Sequence, residues 1–190
     1  MEQDRLHRPV LNCLELFTSH LNLSRMQKKF QSNLGEKVLY LFKPCMRDSP
    51  VLRRLISHGL GSDALVWLKM PPATANTGQS LACCRKVVAT VLDKGPTVYK
   101  IGVTGDPLLR FYKEPCTAPP NPGYYKSHEK FKRMYVLYAG ATWEEAALME
   151  AVLIESHLGK PGNRNIRPGG EGRRMGQGPF FTYLVFKSLI

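Results

Sequence analysis

The stretch 97-TVYKIGVTGDPLLR-110 decides how this chain is read. Thr97 to Thr104 is rich in β-branched and aromatic residues and predicts a strand. Gly105 opens a turn, Asp106 suits a helix N-cap, and Pro107 suits the first helical turn. The result is strand, turn and short helix, with Lys100 before Gly102 on the strand and Arg110 on the helix. Two cations on adjacent elements are either half of a phosphate-handling site or two solvated charges, and the neighbouring segments decide between these.

Upstream, 86-KVVATVL-92 predicts a second strand, joined to the first through "DKGP" as a hairpin. Downstream, a proline-rich loop over 114–127 leads to a strand near 131-FKRMYVLYAG-140. The strongest helix follows in 142-TWEEAALMEAVLIESHLG-159, with Thr142 and Glu145 as a capping box and Gly159 as its stop. A glycine-rich loop, 162-GNRNIRPGGEGRR-174, precedes a last strand, 180-FFTYLVF-186. The order β-β-α-β-α plus a terminal strand predicts an α+β fold with a small three-stranded antiparallel sheet flanked by helices.

Farther upstream the pattern carries less chemistry. Val10, Leu14, Phe17 and Leu21 recur at helical spacing and predict an amphipathic helix over about residues 9–30. "EKVLYLF" (36–42) predicts a strand. "DSPVLRRLISHG" (48–59) predicts a helix with Ser49 as cap, Pro50 in the first turn and Gly59 at the end. The stretch 70-MPPATANTGQS-80 has linker composition. The expected organisation is a mixed α/β segment over 1–70, a linker over 71–84 and the α+β domain over 85–190.

The 190 residues carry a formal net charge of +12. Such an excess favours a polyanionic partner, nucleic acid before acidic membrane. The five cysteines form no CxxC pair, which argues against a zinc site and fits reduced thiols inside a cell. No apolar run is long enough for a membrane span.

Helical geometry places Glu150 among Ala146, Ala147, Leu153, Ile154 and Leu158, whereas Glu144 and Glu155 point away. A carboxylate in an apolar stripe must be paired, metal-bound or at a cleft wall, since burying a bare charge is prohibitive. A structural ion pair and a functional acid explain it equally well. His157, on nearly the same side, is the kind of histidine that packs at a helix end.

With Glu150 in place, the sequence resembles the GIY-YIG nuclease superfamily over about residues 85–187, in a variant whose second motif reads KIG. Lys100, Ile101 and Gly102 occupy that motif, Thr104 follows at the usual offset, and Arg110 stands where the family has its catalytic arginine. Glu150 in "MEAVLIE" matches the family's glutamate helix, and Asn163 or Asn165 stands where an asparagine lines the site. The first motif's tyrosine has no counterpart: the corresponding positions hold Val88, Ala89 and Thr90. Lys100 replaces the second tyrosine, and Val103 replaces a frequent lysine.

The resemblance implies hydrolysis of DNA phosphodiester bonds with one Mg²⁺ or Mn²⁺. Glu150 would anchor the metal, Arg110 would grip the scissile phosphate, and Lys100 would contact phosphate rather than act as a base. From Lys160 to Arg174 the chain holds five cations against one acid, so Arg164, Arg167, Arg173 and Arg174 are expected to follow the DNA backbone. The alternative is a DNA-binding module that kept this surface and lost turnover.

Overall fold

The computed structural model describes residues 34–61, 63–72, 74–112, 125–127, 129–169 and 178–189. The expected helix over 9–30, most of the proline-rich loop, and Arg173 and Arg174 lie outside the described residues. The fold is α+β, built on a four-stranded mixed sheet.

The chain enters through a helical segment over residues 34–39 and a single 3₁₀ turn, Pro44–Met46. This corrects the strand expected over 36–42. Leu39, Phe42 and Met46 are buried at spacings of three and four, a helical rather than an alternating pattern. Helix α1 (Pro50–Gly59) starts as predicted, with Ser49 accepting from the Leu52 amide at 3.4 Å, and buries Leu52, Leu55 and Ile56. Strand β1 (Val66–Leu68) follows.

Helix α2 (Thr77–Leu92) overturns two expectations: 86–92 is helical rather than a strand, and the last residues of the expected linker are already helix. The cause is local. Asn76 and Gln79 form a reciprocal capping box, each side chain accepting from the other's amide at 2.9 and 3.0 Å. From there Ser80, Cys84, Val88 and Val91 fall on one buried face. Helical packing thus outweighs the β preference of the valines.

Strand β2 (Thr97–Thr104), helix α3 (Pro107–Tyr112), strand β3 (Arg133–Gly140), helix α4 (Trp143–Glu155) and strand β4 (Phe180–Ser188) complete the domain, close to the predicted positions. The order across the sheet is β1-β3-β4-β2. β4 runs antiparallel to both neighbours, while β1 lies parallel to β3 on the outside. The antiparallel partner of β2 is therefore the last strand of the chain, not an upstream hairpin, and Gly102 is registered with Tyr183.

The sheet separates two apolar cores. On its first face Val98, Met134, Val136, Tyr183 and Val185 meet α1, the segment 39–46 and Phe111 of α3. On its second face Tyr99, Ile101, Leu137 and Leu184 meet α2 and α4. Each fully buried Leu, Val or Phe contributes about 1.5–3 kcal/mol of transfer free energy, which makes these two layers the main stabilising term. Strand alternation points Lys100 and Gly102 to the first face and Tyr99 to the second.

Candidate functional site

The turn from β2 into α3 is set by two side chains, Asp106, the cap expected from the sequence, and Thr104, which the sequence reading did not assign to it. The Asp106 amide donates to Thr104 Oγ1 at 3.2 Å, and Asp106 Oδ1 accepts from the Leu109 amide at 3.0 Å. Asp106 Oδ2 also meets Arg54 of α1 at 2.8 Å, tying α3 to α1. Phe111 is fully buried, so the short helix is anchored at its end and Arg110 leaves it beside the first face.

There Arg110 and Lys100 converge on one ring. The guanidinium carbon of Arg110 lies 5.0 Å from the centre of Tyr125, and Lys100 Nζ lies 5.7 Å from it, both within cation–π range. Arg110 Nη2 donates to Tyr125 Oη at 3.4 Å. Tyr125 Oη is 2.7 Å from Tyr183 Oη, and the two rings meet edge to face. Tyr183 reaches across β2 because residue 102 is glycine: a Cβ there would lie 2.6 Å from Tyr183 Cζ. The Glu129 carboxylate stands 4.0 Å from Lys100 Nζ.

The electrostatics assign roles. Burial holds the Tyr183 phenol well above its ordinary pKa, aided by Tyr125 and opposed by Arg110, so it stays protonated and acts as a hydrogen-bonding post. Burial disfavours the charge on Arg110, but the Tyr183 and Tyr125 phenols outweigh it and raise the pKa further. Arg110 is a fixed cation on an aromatic shelf, suited to phosphate oxygens. Tyr183 is therefore not a general base in this setting.

A second group lies along the free edge of β2 and on α4. Asn165 acts as a short surrogate strand: its Oδ1 accepts from the Ile101 amide at 2.9 Å and its Nδ2 donates to the Ile101 carbonyl at 2.8 Å. Backbone bonds from Tyr99 to Gly162 and from Arg164 to Tyr99 precede it. Asn163 donates to the His157 carbonyl at 2.8 Å and accepts from the Asn165 amide at 2.9 Å. Both asparagines thus close the sheet edge and hold the loop. His157 packs against Tyr99, its Nδ1 2.8 Å from the Leu153 carbonyl, and burial lowers its pKa.

Glu150 is 9% exposed on α4, as the helical pattern predicted, while Leu158 at 43% is more exposed than that pattern implied. α4 covers the second face, so Glu150 belongs to the opposite layer from Lys100, Gly102 and Arg110. Gly169 lies against it: a Cβ there would fall 3.1 Å from Glu150 Cγ. A magnesium ion held by one carboxylate keeps most of its water and needs open volume around that group. Glu150 is the carboxylate that would hold such an ion, and no cluster of three His, Cys, Asp or Glu forms among the described residues.

Arg164 and Arg167 are exposed. Sequence reasoning had no means of finding Tyr125 and Tyr183, since their proximity to Arg110 depends on the pairing of β4 with β2. Comparison with protein-family models, with curated proteins and with solved structures finds no match to this chain.

Proposed function

We propose that this domain binds DNA through its phosphate backbone at the face carrying Lys100 and Arg110, and that it is related to the GIY-YIG nucleases. One observation carries the reading: the two cations of the opening stretch rest on one tyrosine, Tyr125, which is hydrogen-bonded to a second, Tyr183, lying over Gly102. The resemblance implies a tyrosine about ten to twelve residues before KIG, where Val88, Ala89 and Thr90 stand, and another at the position of Lys100. Tyr183, on the strand registered with β2, would stand in for one of them. Arg110 would engage phosphate through its guanidinium while the ring fixes its plane, and Lys100 would add a point charge exchanged from Glu129.

A second reading, phosphodiester hydrolysis, is favoured by the resemblance, in which Glu150 in "MEAVLIE" stands at the position of the family's glutamate helix. Glu129, the described carboxylate nearest this face, is engaged with Lys100, so the binding reading comes first.

The test is duplex-DNA affinity as a function of salt, together with cleavage of supercoiled and branched DNA in Mg²⁺ or Mn²⁺, for the wild type and Glu150→Ala. Salt-sensitive binding by both proteins without cutting supports the binding module. Cutting that needs metal and Glu150 moves the assignment to a nuclease. Absence of binding at low salt removes both readings.

A further inference from the structure

Next to the Arg110 site the chain makes a turn whose composition the charge pattern of residues 160–174 did not bring to notice. The segment 125-YKSHEKFKR-133 contains one acid, Glu129, among four lysines and arginines. Three of its features are built rather than incidental. Lys126 Nζ lies 5.0 Å over the Tyr112 ring, at the end of α3. Lys187 of β4 lies 5.6 Å over Phe131 and donates to the Glu129 carbonyl at 2.9 Å. Lys130 holds φ at 57°, a left-handed conformation that lysine disfavours.

That conformation reverses the chain, so that the Phe131 amide donates to Tyr125 at 2.8 Å and the Lys132 amide to Phe186 at 3.1 Å. The rings beneath are joined edge to face, Tyr125 with Phe131 and with Tyr183. Lysines on aromatic shelves lose less freedom on binding than lysines free in solvent, which favours a partner with charges in fixed places. A strained residue kept where glycine would be easier points to a need for its side chain.

We propose that Lys126, Lys130, Lys132 and Lys187 form a backbone-binding tract for duplex DNA, continuous with Lys100 and Arg110, and that Glu129 is its internal competitor, holding Lys100 until phosphate displaces it. This rests on the DNA reading above and adds where the duplex lies and what restrains it. The tract is on the first face of the sheet, around the Tyr125 turn, rather than on the loop that carries Arg164 and Arg167.

The experiment is anisotropy of labelled duplex DNA against salt, using the full chain as wild type, Lys130→Gly, the double variant Lys126→Ala/Lys132→Ala, Glu129→Gln, and Arg164→Ala/Arg167→Ala. The double variant should lower the slope of log affinity against log salt by roughly two, each lost contact contributing about 0.9. Lys130→Gly should bind several-fold more weakly while melting at a higher temperature, which separates a lost contact from a damaged fold. Glu129→Gln should bind more tightly than wild type. The proposal is overturned if wild type binds DNA and these variants match it while Arg164→Ala/Arg167→Ala loses affinity; the DNA reading then survives. Failure of wild type itself to bind removes that reading first. Equal dependence on the same lysines for vesicles containing phosphatidylserine, without DNA binding, would assign the tract to a membrane surface and overturn it.

Discussion

Tyr183 rests on Gly102, so closely that a Cβ at the glycine would lie 2.6 Å from the tyrosine's Cζ. The strand and the phenol are thus fitted to each other, and the phenol in turn holds Tyr125 at 2.7 Å. Gly102→Ala should therefore cost about 1–3 kcal/mol, as overpacking of a filled core does. It should also weaken DNA binding, because Tyr183 and Tyr125 must shift beneath Arg110. Denaturant midpoints and DNA affinity, measured on the same variant, check both halves.

Asn165 bonds both backbone groups of Ile101 at the edge of β2. Asn165→Ala should lower stability by about 1 kcal/mol. Hydrogen exchange at the Ile101 amide should accelerate more than at Val98, which lies inside the β2–β4 ladder. Equal acceleration at both amides would mean that Asn165 supports the sheet globally rather than closing its edge.

Tyr99 is fully buried, and its hydroxyl has no hydrogen-bond partner among the described residues. A buried hydroxyl in that state is a cost, so Tyr99→Phe should leave stability unchanged or raise it by up to about 1 kcal/mol. A clear loss on thermal denaturation would show that the hydroxyl is satisfied in solution.

His157 and His58 both have pKa values lowered chiefly by burial. In the folded state they stay neutral at pH values where the unfolded chain, with its histidines near 6.5, already takes up protons. Their contribution is thus fully present above that value and is lost as the pH falls through the lower folded values. Stability should decline from neutral pH towards mild acid, and His157→Gln should flatten the decline. Chemical denaturation across that range gives the measurement.

Much of the fold was legible because its signals are local. Ser49 with Pro50, Asp106 with Pro107, and Thr142 before Trp143 each mark a helix start through a hydrogen bond made within a few residues. Only part of the Thr142 box is formed as predicted. The Glu145 carboxylate accepts from the Ala141 amide at 2.8 Å and pairs with Lys43 at 3.1 Å, since a charged partner was available to it. The valines of α2 misled because β propensity is a weak prior against a capped start and a buried helical face. What local pattern could not reveal was the partner of β2. That pairing is chosen by the two cores, and with it came Tyr183, Tyr125 and the division that leaves Glu150 on the far layer. Lys100, Gly102 and Arg110 were found from sequence because they lie within one strand and the turn after it.

The most direct measurement is duplex-DNA affinity of Arg110→Lys against wild type at several salt concentrations. Lysine keeps the charge but loses the planar fork, so losing one charge-assisted hydrogen bond, about 1.5–3 kcal/mol, should weaken binding by roughly tenfold or more with little change in salt slope. Unchanged affinity in a folded Arg110→Lys protein would contradict the account, since it would mean that DNA does not engage the guanidinium held over Tyr125.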